Sequence, residues 1–183
     1  MPNGSPRPPV AQVERIPELL ALIESSSWLV AVLGSVYQAG LPNAWICAGV
    51  IRDLVWDTKF GNGFDPSRIS DVDVAFFDPV DLRTERDRAA ELRLLALRPD
   101  VRWDAKNQAA VHTSYPNRFG IAVEPFRSMA EAAASWPETA TAVAIRRSNR
   151  TSLEVIAPYG LDDLLDGVWR LQACLSGGRR RLC

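Results

Sequence analysis

The sequence predicts an α/β (α+β) domain, a mixed sheet flanked by helices. Apolar residues recur at three- and four-residue spacing over long stretches, and short alternating or continuously apolar runs lie between them. The order that results is two helices, strand, helix, strand, helix, strand, short helices, a hairpin and a final helix, which a single layered sheet accommodates.

Residues 1–10 open with a Pro-rich, Gly- and Ser-containing stretch that reads as a disordered arm. The domain is expected over 11–175, with a basic flexible tail at 176–183 (S-G-G-R-R-R-L-C). Val13, Ile16, Leu19, Leu20 and Ile23 mark a first helix, in which Pro17 is tolerable only near the start. Ser25, Ser26 and Ser27 end it and cap a second, whose apolar face is Leu29, Val30, Val32, Leu33, Val36 and Tyr37. Gly40 and Pro42 close that one.

Residues 43–48 (N-A-W-I-C-A) form a short strand that runs directly into G-V-I-R-D-L-V-W-D. Gly49 allows a sharp strand-to-helix turn. The unpaired amides that open such a helix, with Arg52 in its first turn, make the junction a candidate phosphate cradle. The plain alternative is a strand–turn–helix in which Arg52 and Asp53 are solvated. A turn-rich loop at 59–68 leads on to residues 69–78, I-S-D-V-D-V-A-F-F-D, which read as a buried strand ending at Pro79.

On that strand Asp71 and Asp73 point to the same side, one pleat apart. Like charges so placed resist joint ionisation, and a hard divalent cation between them resolves the conflict. The chain has 13 aspartates, so about one such pair is expected by composition alone, and the pair needs support from elsewhere. After a charged amphipathic helix at 82–97, with Leu92, Leu94, Leu95 and Leu97 near its end, V-R-W-D-A-K at 101–106 alternates as a strand. Arg102, Asp104 and Lys106 share one of its faces. If this strand lies beside the first, Asp104 completes a carboxylate trio and Lys106 brings positive charge to the same place.

His112, the single histidine, is expected to be a hydrogen-bonded structural residue. A short Ala-rich helix at 128–136 stops at Pro137. Runs at 139–147 and 152–157, separated by S-N-R-T, form a hairpin, and 161–175 is the last amphipathic helix. The net charge of −1 gives no general attraction to nucleic acid or membrane surface. No apolar run approaches the ~20 residues of a membrane span, and the N-terminus does not read as a signal peptide. The widely spaced Cys47, Cys174 and Cys183 fit neither a zinc pattern nor a disulfide framework, so a cytoplasmic location is expected.

A-G-V-I-R-D at 48–53 together with S-D-V-D-V at 70–74 resembles the nucleotidyltransferase superfamily of DNA polymerase beta, poly(A) polymerases and CCA-adding enzymes. More closely, the chain is similar to a small bacterial nucleotidyltransferase-like family of largely unassigned function. The stretches that carry this are W-I-C-A-G-V-I-R-D-L-V-W-D (45–57), D-V-D-V-A-F-F-D (71–78), W-D-A-K-N-Q-A-A-V-H (103–112), S-W-P-E-T-A-T-A-V-A-I-R (135–146) and A-P-Y-G-L-D-D-L-L (157–165). The resemblance implies a polymerase-beta-like core and transfer of a nucleoside monophosphate from an NTP to an unknown acceptor hydroxyl. Mg²⁺ or Mn²⁺ would be held by Asp71, Asp73 and Asp104, which thereby become the expected catalytic residues. Gly49, Arg52 and Lys106 are the expected nucleotide contacts. A catalytically inactive nucleotide-binding or interaction module of the same fold is the alternative. The acceptor is expected to be a small molecule or protein rather than nucleic acid. The superfamily often has Gly-Gly or Gly-Ser at the turn where this chain has Ala48-Gly49, with Arg52 the substitute phosphate ligand. The long segment 49–71 is expected to place a loop at 61–68 over the site.

Overall fold

The computed structural model describes residues 10–120, 122–149 and 151–172. The arm expected at 1–10 lies outside them except for Val10, the first residue of α1, and the tail expected at 176–183 lies outside entirely.

Helix α1 (Val10–Ser25) buries Leu19 and Ile23, one turn apart, completely. Ser26 then breaks the chain sharply: its hydroxyl accepts the Leu29 amide at 3.2 Å and caps α2 (Ser27–Ala39), which leaves α1 bent by 97°. Gly40, left-handed at φ 62°, ends α2 with its N–H on Tyr37 O. The chain continues through β1 (Trp45–Cys47), α3 (Gly49–Phe60), β2 (Val72–Phe76), α4 (Glu85–Leu97), β3 (Trp103–Asn107), α5 (Val111–Phe119), α6 (Met129–Ala133), β4 (Ala144–Arg147), β5 (Leu153–Ile156) and α7 (Asp162–Leu165).

The five strands form one sheet in the order β3-β2-β1-β4-β5. Only β2 and β3 run parallel, as the helical crossover α4 between them requires, and the other pairs are antiparallel. The expected mixed sheet flanked by helices is therefore what the chain forms. Strand alternation sorts its faces. Ile46, Val72, Val74, Phe76, Ala105 and Ile145 enter the main core against the first four helices. Trp45, Cys47, Ala75 and Ala144 face the other way, where Met129 and Ala132 of α6 cover them. Phe76 is fully buried, and truncating such a ring to alanine costs about 3–5 kcal/mol.

The loop after β2 is pinned by Asn107, 2% exposed. Its side-chain oxygen accepts the Asp78 and Ala109 amides, and its amide group donates to the Asp78 and Asp81 carbonyls. Every polar atom of this buried side chain is thereby satisfied.

Several expected boundaries shift. The aspartate strand is paired only from Val72, so Asp71 precedes it. Helix α4 starts at Glu85 rather than 82, and Leu92 and Leu95 face solvent, leaving Ala90 and Leu94 to anchor it. The loop expected from 59 begins later, because Lys59 and Phe60 continue α3. The hairpin forms as read, but its first strand starts at Ala144: residues 138–142 turn instead, with the Ala142 amide on Glu138 O. The final helix stops at Leu165. Gly167 adopts φ 71°, and a Cβ there would lie 2.8 Å from the Phe60 ring, so the chain turns away and Leu171 pairs with Glu138. Positions 173–175 of that expected helix fall outside the described residues. Of the short helices expected between the third strand and the hairpin, α6 lies within 128–136, while α5 occupies Val111–Phe119, where the sequence pattern places no helix.

Candidate active site

The register of three strands sets a row of side chains across the sheet. Cys47 of β1 is the partner of Asp73 in β2, which is the partner of Asp104 in β3. Partners across a ladder point to the same face, so both carboxylates stand on the side that α6 covers only in part. There the sheet opens into a cleft of about 410 Å³, with Cys47, Asp73 and Asp104 among its lining residues.

Asp73 lies at the centre of the row. Burial, and then the charges of Asp71 and Asp104, push its carboxyl up to about 6, against the opposing hydrogen bond from the Gly49 amide. Asp71 is exposed just ahead of the strand and accepts a 2.6 Å bond from Ser70 Oγ. Cys47 is a free, buried thiol that burial pushes well above the usual range, so it contributes a neutral wall to the cleft.

The strand-to-helix turn forms where expected, but the unusual backbone lies one residue early. Ala48, not Gly49, takes the positive φ, 55° with ψ −119°. Ala48 N–H donates to Val143 O of the chain entering β4, and its carbonyl accepts the Ile51 and Arg52 amides. These bonds at both ends hold the residue in that conformation. A Cβ built on Gly49 would meet only an Arg52 nitrogen, at 4.0 Å, so the fold leaves its cleft side open. Arg52 lines the cleft, its guanidinium held by Asp53 Oδ1 through Nε (2.9 Å) and Nη2 (2.6 Å) and set 5.8 Å from the centre of the Trp56 ring.

Lys106 also lines the cleft, two residues after Asp104 on the same face of β3. Its ammonium is 3.0 Å from Asp104 Oδ1, 3.8 Å from Glu91 Oε1 and 4.0 Å from Asp87 Oδ2. Although Asp104 Oδ1 is buried, it receives no well-aligned hydrogen bond. Its pairing with Lys106 is a matter of proximity and charge. Among the described residues, no three His, Cys, Asp or Glu side chains converge closely enough to hold a metal ion as they stand. Asp73 and Asp104 are brought together by the backbone, while Asp71, ahead of the strand, is not among the cleft-lining residues although its charge acts on Asp73, and Asp104 is paired with its lysine.

Residues 35–177 match the family model for nucleotidyltransferases. The chain belongs to the nucleotidyltransferase family. It is similar to a solved NMR structure described as revealing a CCA-adding enzyme head domain, with 31% identity over 81% of this chain and 74% of that chain, at a TM-score of 0.67. No curated protein matches it. The polymerase-beta-like nucleotidyltransferase fold implied by the motif resemblance is the fold the chain has.

One wall of this nucleotidyltransferase's cleft is built from residues that none of the catalytic motifs marks. Gln108, Trp136, Pro137, Glu138 and Thr141 line it. Thr141 Oγ1 lies 3.2 Å from Glu138 Oε2, an orientation that holds the carboxylate. The signal available was the stretch S-W-P-E-T-A-T, one of those carrying the resemblance. Nothing in its spacing shows that it folds back against the aspartate strands. His112 does not line the cleft. The hydrogen bond expected of it is not made at Nδ1, which is buried without a partner.

Proposed function

We propose that this nucleotidyltransferase moves a nucleoside monophosphate from an NTP to an acceptor hydroxyl, with Asp71, Asp73 and Asp104 holding Mg²⁺ or Mn²⁺. The observation that carries the reading is the register pairing of Asp73 with Asp104 in a cleft that Gly49 and Arg52 also line.

The residues fit such an ion in their chemistry. The donors are carboxylate oxygens, Asp104 offers a buried oxygen with no aligned donor, and Asp73 is held towards its protonated form by burial and then by the charges of Asp71 and Asp104, which a cation would offset. When bound, the ion would neutralise charge on the transferring phosphoryl group. What remains for the protein is positioning and electrostatics. Arg52, fixed by Asp53, presents a planar cation to the triphosphate beside the open face of Gly49. Lys106 adds positive charge on the same side of the sheet. Asp104 would help take the proton of the acceptor hydroxyl, and Asp73 would hold the ion together with Asp71 and Asp104. Trp136 offers an aromatic surface on the far wall, and Glu138 sets a negative charge there. That charge supports a small-molecule or protein acceptor over a polyanionic nucleic acid. A reducing cytoplasm suits the free Cys47 thiol.

A nucleotide-binding module without catalysis is the second reading, and the Asp104–Lys106 ion pair favours it. Calorimetric titration with ATP, GTP, CTP and UTP, with and without Mg²⁺, tests binding, and α-labelled NTPs in cell extract test transfer. Labelling of an acceptor by the wild type and its loss in Asp73→Asn is the expected result. Equal labelling by both proteins overturns the catalytic assignment. Nucleotide binding without labelling points to the second reading.

A further inference from the structure

We propose that Lys106 is a mobile counter-ion, paired with Asp104 here and passed to Glu91 and Asp87 of α4 when a divalent ion binds. The inference rests on the metal reading above and assigns Lys106 as a positioning residue for Asp104.

The ammonium stands among three carboxylates, with Asp104 nearest at 3.0 Å and Glu91 and Asp87 only 3.8 and 4.0 Å away. The side chain is half exposed, and a lysine carries three rotatable donors on a flexible stem, so a shift of this size needs only rotamer change. Its grip on Asp104 is poorly aligned, since Oδ1 is buried yet lacks a hydrogen bond of good geometry. The receiving site is already built. Asp87 Oδ1 is fixed by the Asn107 amide at 2.8 Å, which leaves Oδ2 on the lysine side. Glu91, one turn along α4, bonds Arg88 through Oε2 and turns Oε1 towards the ammonium.

The arrangement answers an electrostatic difficulty. With no cation bound, Asp104 beside Asp73 is repulsive, and the lysine relieves it. Once a divalent cation binds, an ammonium at the same oxygen repels it, and the acids of α4 accept the displaced charge.

The experiment is Mn²⁺ binding to the nucleotide-free full chain, followed by electron paramagnetic resonance at low ionic strength. It compares wild type, Lys106→Met, Glu91→Gln and the double variant. Asp87 is left intact because it anchors Asn107. Lys106→Met is expected to bind Mn²⁺ about 5-fold or more tightly, within the usual span of coupled sites. Glu91→Gln is expected to bind more weakly, and its effect should vanish once Lys106 is replaced. Two results overturn the exchange while leaving the metal reading intact: Lys106→Met binding no tighter than wild type, or a Glu91→Gln loss that persists without the lysine. Failure of both wild type and Lys106→Met to bind Mn²⁺ overturns the metal reading and the exchange together.

Discussion

Asp73 and Asp104 are direct register partners in the parallel ladder of β2 and β3, although the whole of α4 lies between them in the chain. Their neighbours differ: Asp73 meets a backbone amide and two like charges, whereas Asp104 meets an ammonium. Replacing either by asparagine should leave the fold intact and reduce nucleotidyl transfer by more than about 100-fold. Outer-shell partners of metal ligands typically cost 10–100-fold, and these carboxylates would touch the ion itself. Single-turnover rates with labelled NTP at saturating Mg²⁺ measure this.

The raised Asp73 carboxyl sets a pH dependence of stability. In the folded chain it titrates near 6, against an unfolded value of 3.8. The native state therefore binds the proton more tightly than the unfolded state does. Its contribution is fully present below about pH 4 and lost as pH rises through 6. With divalent ions chelated, Asp73→Asn should match the wild type near pH 4. It should be more stable by about 2 kcal/mol near pH 8, by denaturant titration, since solvent screening of this partly exposed carboxyl trims the ~3 kcal/mol that a rise from 3.8 to about 6 would carry. Adding Mg²⁺ should close that gap by stabilising the wild type.

Ala48 sits at φ 55°, ψ −119°, a conformation that suits glycine. Strain of this kind costs about 1–3 kcal/mol, part of which glycine returns through its greater entropy loss. Ala48→Gly is expected to stabilise the protein by about 1 kcal/mol, raising Tm by about 2–4 °C in calorimetry. Gly49→Ala, whose new methyl group meets only Arg52 at 4.0 Å, should fold normally yet bind NTP more weakly in calorimetric titration.

Asn107→Ala would strand the buried Asp78 and Ala109 amides and free the loop that Asp78 and Asp81 anchor. Each buried group left without a partner costs about 1–3 kcal/mol, so a total loss near 3 kcal/mol is expected from equilibrium unfolding. Because Asn107 ends the strand that carries Asp104, transfer should fall as well.

Arg52→Lys keeps the charge but loses the planar fork that Asp53 orients with two bonds. NTP binding should weaken by about 10-fold, the equivalent of one charge-assisted contact, as read by calorimetry.

What the sequence made legible is what periodicity encodes. The apolar run Val72, Val74, Phe76 announces a buried strand, and alternation along W-D-A-K puts Asp104 and Lys106 on one face. The motif order named the fold. Other features depend on contacts that no local pattern carries. Helix α5, V-H-T-S-Y-P-N-R-F, has only the thin apolar line Val111, Tyr115, Phe119, and Pro116 in its middle together with its polar residues argues locally against a helix. The end of α7 is set by Gly167 meeting the Phe60 ring, a residue distant in sequence. The strained residue at the turn is Ala48 because Val143 grips its amide, and propensity alone favours Gly49. Trp136 and Glu138 reach the cleft by long-range folding.

The crossover between β2 and β3 gives ligand binding a mechanical meaning. Along the chain the two acids are joined only through a helix and its loops, so anything that grips both closes a long loop, much as a cross-link would. A loop so closed has lost its entropy in advance, and the cost of closure grows only slowly with its length. An occupied cleft should therefore slow the peeling of β3, one of the two edge strands, away from the sheet.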